Sequence, residues 1–179
     1  MPKVTQKPAG FRLRVLAFGY DYAVVAAYLL VLVGIGAASS RLAPAVLSAF
    51  FGNPVSGEVS GFLAVTLPVT LYFALSESSP HRATWGKSRV NLAVTDLQGG
   101  RLSRPRSLAR TALKFIPWEL AHACIWQISF AADPSSPVYA IGFILVWLLV
   151  GANVVSLVAS PARQTLYDRL AGTIVVRSS

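Results

Sequence analysis

Residues Phe11–Ala38 read FRLRVLAFGYDYAVVAAYLLVLVGIGAA: two arginines lead into a run that is apolar except for one aspartate. No charge falls between Tyr22 and Ser40. At about 1.5 Å per residue, a helix of this length crosses a hydrocarbon core of about 30 Å. Asp21 sits about two turns inside the run, where a carboxylate costs on the order of a kcal/mol or more, rising towards the bilayer centre. Arg14 precedes Asp21 by two turns on the same helix face, within reach of it or of a shared partner. A plainer reading is an interfacial arginine that snorkels and an aspartate satisfied by a neighbouring helix.

Composition points the same way. The chain is 54% hydrophobic and 13% charged, whereas soluble domains carry about a quarter charged residues. The net charge of +9 would suit nucleic acid only on a soluble basic face. Here the basic residues lie in blocks between apolar runs, where they report topology and contact with anionic lipid headgroups. No nucleic-acid partner is expected. The single cysteine, Cys124, lies in an apolar run and forms no internal disulfide. A basic, then apolar, then small-residue start also describes a signal peptide. Asp21 and the length of the charge-free run favour a retained helix instead.

Outward from this helix, residues 1–10 read as a basic tail without periodicity, disordered until the helix begins. Residues 39–58 read as a loop whose apolar patch, Val46–Phe51, lies in the membrane interface. A second span covers 59–76, with Pro68 removing a backbone donor and kinking the helix. The segment 77–106 changes character. Val90, Leu92 and Val94 alternate with polar neighbours, and Gln98-Gly99-Gly100 supplies a turn, giving a small cytoplasmic β hairpin or strand element. Arg104, Arg106, Arg110 and Lys114 then recur on a helix that leads into a third span, 107–132, carrying Pro117, Glu119 and His122. A fourth span covers 137–160, and the tail 161–179 ends in a β-type run, Thr173–Val176, placed to pair with the Val90–Thr95 strand.

Lys and Arg number sixteen, and with four spans all but Arg41 fall on the side of the two termini. That bias fits a four-helix transmembrane bundle with both termini cytoplasmic. The expected architecture is therefore an all-α membrane protein with one transmembrane domain over 11–177 and a small cytoplasmic β element.

Three motifs carry a family resemblance. They are Arg14-x-x-Ala17-x-x-x-Asp21, Thr84-x-Gly86-Lys87 and Tyr167-Asp168-Arg169-Leu170-Ala171-Gly172-Thr173. At this spacing, over nearly the whole chain, they resemble the RDD family of bacterial membrane proteins, named for one arginine and two aspartates, here Arg14, Asp21 and Asp168. Glu77-Ser78-Ser79-Pro80 resembles a variant of the family's loop. Ser88 and Asn91 depart from the pattern, which has a basic residue and a small residue such as glycine there. The extra span with Glu119 and His122 exceeds the family's three-helix description. The resemblance implies a bacterial plasma membrane location and, for some members, a transport role that includes sodium/proton antiport.

The titratable groups at or near membrane depth are Asp21, Glu77, Glu119, His122 and Asp168, candidates for a proton or cation pathway. The competing reading is structural: an Arg14–Asp21–Asp168–Arg169 ion network that locks the helices to the cytoplasmic cap. Glu119 and His122 share a helix face, as in metal-binding bundles, but His81 in a loop is the sole other histidine, so no metal or cofactor is expected. No Ser or Cys stands in a nucleophile motif, so no enzymatic activity is expected. Two functions follow: a small ion-coupled transporter that forms a homo-oligomer, or a non-catalytic scaffold whose basic face engages anionic lipid or a partner protein.

Overall fold

The opening stretch forms helix α1, Phe11–Leu42, in a computed structural model that describes residues 7–178. The helix outlasts the expected 11–38, because the chain to Leu42 holds no proline to stop it and the first one comes at Pro44. Beyond it, the segment expected as a loop is largely helical, with α2 at Pro44–Phe51 and α3 at Pro54–Gly61. Each opens on a proline at its first turn, where the missing N–H has no intrahelical partner to lose. Asn53 caps α3 by accepting from the Ser56 amide at 3.0 Å.

A π-helical turn, Phe62–Thr66, joins α3 to α4 (Leu67–Glu77), so that Pro54–Glu77 is one helix of 24 residues. The turn has a local cause. Pro68 has no N–H to offer the carbonyl of Ala64, four residues back, and the wider π turn gives its ring room. The freed carbonyl is satisfied from outside: the Tyr28 hydroxyl of α1 donates to it at 2.5 Å.

Helix α5 (Trp85–Arg89) and strand β1 (Leu92–Asp96) follow. The turn after β1 does not fold it into a hairpin. Asp96 accepts from the Gln98 and Gly100 amides, and the chain leaves for α6 (Arg104–Ser129). After α7 (Pro137–Ala159) and α8 (Leu166–Leu170), strand β2 (Thr173–Arg177) pairs antiparallel with β1, Val94 opposite Val175. Residues 7–9 line the other edge of β2, with the Ala9 amide bonded to the Val175 carbonyl and the Arg177 amide to the Lys7 carbonyl. The tail is thus ordered from residue 7; the rest of the expected disordered segment lies outside the described residues.

Among the described residues, three helices are long and apolar enough to cross a membrane: Phe11–Leu42, Pro54–Glu77 and Pro137–Ala159. The expected third span, α6, is long enough at 26 residues. Its basic first turns, Glu119 and His122 leave it less apolar than the others. It packs between α4 and α7. The start of α1, the end of α4, the start of α6 and the end of α7 meet at one pole beneath the sheet. There Ala9, Ala17, Leu92, Val94, Leu102 and Val175 form the buried apolar cluster. Away from that pole, large apolar side chains such as Leu30 and Trp147 point outward, each 71% exposed. A belt of that size has lipid as its natural solvent.

Tyr28→Phe tests the link between α1 and the π turn. It strips the Ala64 carbonyl of its donor and is expected to cost about 1–3 kcal/mol, read as a lower midpoint of thermal unfolding in detergent.

Candidate functional site

At the capped pole, charged side chains converge from helices far apart in sequence. Arg110, 2% exposed, enters from the second turn of α6. Its guanidinium donates from Nη1 to Glu77 Oε2 at 2.5 Å, and from Nη2 and Nε to Asp168 Oδ1 at 2.8 and 3.0 Å. The second oxygen of Asp168 accepts from Arg14 Nη1 at 2.8 Å, and that of Glu77 from Lys87 Nζ at 2.9 Å. Arg14 also donates to the Arg163 carbonyl at 2.6 Å. One ladder of charge therefore ties α1, α8, α6, α4 and α5 together.

Asp21 stands beside this ladder but outside it. The structure does not bring it to Arg14. It accepts instead from the Thr84 hydroxyl at 2.6 Å, the Gly86 amide at 2.8 Å and the Tyr72 hydroxyl at 2.9 Å. Three donors in a buried site hold a carboxylate without a counter-charge. Thr84 serves twice, because its hydroxyl also accepts from the Lys87 amide as the cap of α5. At Gly86 a Cβ would run into the Ala17 carbonyl and Asp21 itself, so glycine is required for α5 to approach α1 this closely. Thr84, Gly86 and Lys87 thus form one device: cap, close approach and counter-ion.

The last motif works the same way. Asp168 closes a capping box with Thr165 at the start of α8, and Thr173 bonds back to Asp168. Gly172 turns the chain into β2 at φ +62°, a left-handed conformation natural to glycine. Its carbonyl and that of Ala171 accept from Arg106. Arg169, expected in the network, is exposed; it faces away because α8 spends its inward side on Asp168. Asn91 occupies a left-handed position, φ 52°, which explains why a glycine would be expected there; asparagine is among the few residues that tolerate it.

Every oxygen of Asp21, Glu77 and Asp168 accepts at least one hydrogen bond. Burial alone would raise the Asp168 carboxyl, but Arg110 and Arg14 beside it prevail and hold it at about 2.

Glu119 and His122 lie elsewhere, beside the π turn. The Thr66 hydroxyl, within that turn, donates to Glu119 Oε1 at 2.7 Å, and His122 Nδ1 is 3.6 Å from the same oxygen. Glu119 Oε2 is buried without a partner. No group of three or more His, Cys, Asp or Glu converges in metal-binding geometry among the described residues.

Arg110 and Tyr72 were not singled out from sequence as site residues. A signal for Arg110 exists: Ser107, Arg110, Thr111 and Lys114 form a polar stripe at helical spacing on a helix about to enter an apolar run, so the stripe has to face protein. Compared with known proteins, residues 8–172 match the model of the RDD family. No curated protein and no solved structure matches the chain.

Removing one partner of a buried pair strands the other charge. Arg110→Met is therefore expected to cost about 3–5 kcal/mol, seen as loss of monodisperse protein or a lower unfolding midpoint in detergent. The pH dependence has a defined sign. An unfolded chain protonates an aspartate near pH 3.9, roughly, while the folded state keeps Asp168 ionised to about pH 2. Its contribution is therefore full above about pH 4 and is lost as pH falls towards 2. An acid titration of stability should show that loss, and Asp168→Asn should flatten it.

Proposed function

The chain belongs to the RDD family, a family of membrane proteins, and from that premise we propose that it is a non-catalytic scaffold or accessory subunit of a bacterial plasma membrane, spanning it four times with both termini cytoplasmic. The observation that carries this reading is the saturation of the capped pole. Asp21, Glu77 and Asp168 spend their oxygens on Arg14, Arg110, Lys87, Thr84, Tyr72 and the Gly86 amide. A carboxylate held on both oxygens by buried donors and counter-ions has to give up those partners to load an ion, which argues against a carrier site here. The motif residues that define the family sit in this lock, so their role here is to fix one arrangement of helices.

Two features support the fourth span. Helix α6 has the length to cross, and it seats its polar groups on its neighbours: Ser107 on the Ala74 carbonyl, Arg110 on Glu77, Glu119 on Thr66. The capped pole carries the basic residues, including exposed Arg101, Arg104 and Arg169. That bias supports a cytoplasmic cap on an anionic leaflet, contacting lipid headgroups or an acidic partner. Homo-oligomerisation belongs to the same proposal.

A second reading, an ion-coupled transporter, draws on Glu119. It is the acid with an idle buried oxygen, beside a π turn of the kind frequent at functional sites, with His122 within reach as a proton partner.

Proton and sodium flux in proteoliposomes separates the two. The scaffold reading expects wild type to match empty vesicles; flux that Glu119→Gln abolishes in a folded protein would overturn it in favour of transport. Protease access to tags at both termini in sealed vesicles should place the two on one side.

A further inference from the structure

Four cations, Arg14, Lys87, Arg110 and Lys114, lie on the inner side of the cap near Asp21, Glu77 and Asp168; the first three are in ion pairs, and Lys114 is not. Its ammonium makes no ion pair among the described residues. It rests on aromatic faces instead, 3.3 Å from the Phe73 ring centre and 5.1 Å from that of Phe115. Such contacts soften a buried charge without neutralising it.

Lys114 also lines a groove. Between α1, α6 and α7 lies an open cleft of about 470 Å³, a size suited to a small amphiphile. The charged groups of the cleft lie at one end: Arg14 and Lys114, with Thr165 and Tyr167, are at its capped end, and its other walls down to Ala121 and Val146 are apolar or aromatic except for Asn153, whose amide donates to the Leu149 carbonyl of its own helix. Val146 precedes the end of α7 at Ala159 by about 20 Å of helix. Val15, Val150 and Val154 on its flanks are 50%, 37% and 40% exposed, so the groove opens sideways onto the lipid-facing surface.

The geometry points to a built site for an anionic phospholipid of the surrounding membrane. The headgroup phosphate sits against Lys114 at the capped end and one acyl chain runs down the groove between α1 and α7. The phosphate supplies the counter-charge that the ammonium lacks, and the chain fills apolar space that no side chain of this protein occupies. This inference rests on the membrane placement proposed above, with the cap at headgroup level, and does not depend on whether the protein transports an ion.

The test is native mass spectrometry of the full chain in detergent, offered equal amounts of dioleoylphosphatidylglycerol and dioleoylphosphatidylcholine. Wild type is expected to retain the anionic lipid about tenfold better. Lys114→Met should bring the ratio close to one, while Arg41→Met, in the last turn of α1 and far from the cap, should leave it unchanged. Val154→Trp should expel both lipids by filling the groove, with the protein still monodisperse. Equal retention by wild type, an unchanged ratio in Lys114→Met, or anionic lipid held as tightly in Val154→Trp would each overturn the assignment. So would a change of oligomeric state in Val154→Trp, since it would mean a second copy fills the cleft. Binding is read in detergent, so failure here is distinct from failure of the topology or flux tests.

Discussion

The Arg110 guanidinium, held between Glu77 and Asp168, is the contact on which the rest of the fold depends. Taking three such charges out of water costs several kcal/mol per ion before any is recovered. Recovery requires that each donor meet its acceptor, so the ends of α4, α6 and α8 have little freedom in where they stop. Arg14 and Lys87 extend the same demand to α1 and α5. A greasy bundle could pack in several registers with similar energy, because lipid competes equally for its apolar faces. The charge ladder admits one. Its value is better described as specificity than as added stability.

Legibility in the sequence followed from how local each cause is. The apolar runs are set by the chain itself, so α1, the helix ending at Glu77, and α7 could be read from composition and length. The sheet could be read too, because Val90–Thr95 and Thr173–Val176 had alternation or β-branching and no other partner. What escaped was geometry between distant residues. Arg14 and Asp21 share a helix face, and their pairing was a sound inference from spacing alone. Asp168, 154 residues away, outcompetes Asp21 for Arg14, while α5 and its cap bring Asp21 two donors, Gly86 and Thr84, and Tyr72 of α4 brings a third. No periodicity encodes that exchange. The proline at 68 was recognised as a disturbance, but the sequence did not disclose that a tyrosine on another helix would repair it.

The two ends of the bundle differ in how their polar groups are treated. At the cap, acceptors are saturated and glycine permits backbone contact. Beside the π turn, by contrast, Glu119 keeps an idle oxygen, and between α1 and its neighbours apolar clefts remain, touching Phe18 and Lys114. Helix α1 is thus pinned hard at its start and lightly along its length, where Tyr28 holds it to Ala64.

The strand order carries a consequence for how the protein is made. Residues 7–9 lie along β2, and Arg14 finds its carboxylate on α8, so the first and last parts of the chain complete each other. During synthesis α1 is made with Arg14 bare, and Asp21 has to await Tyr72 of α4 and then Thr84 and Gly86 at the start of α5. The cap therefore closes only once α8 has been made: until then Arg14 has no carboxylate, and Arg110 has Glu77 alone.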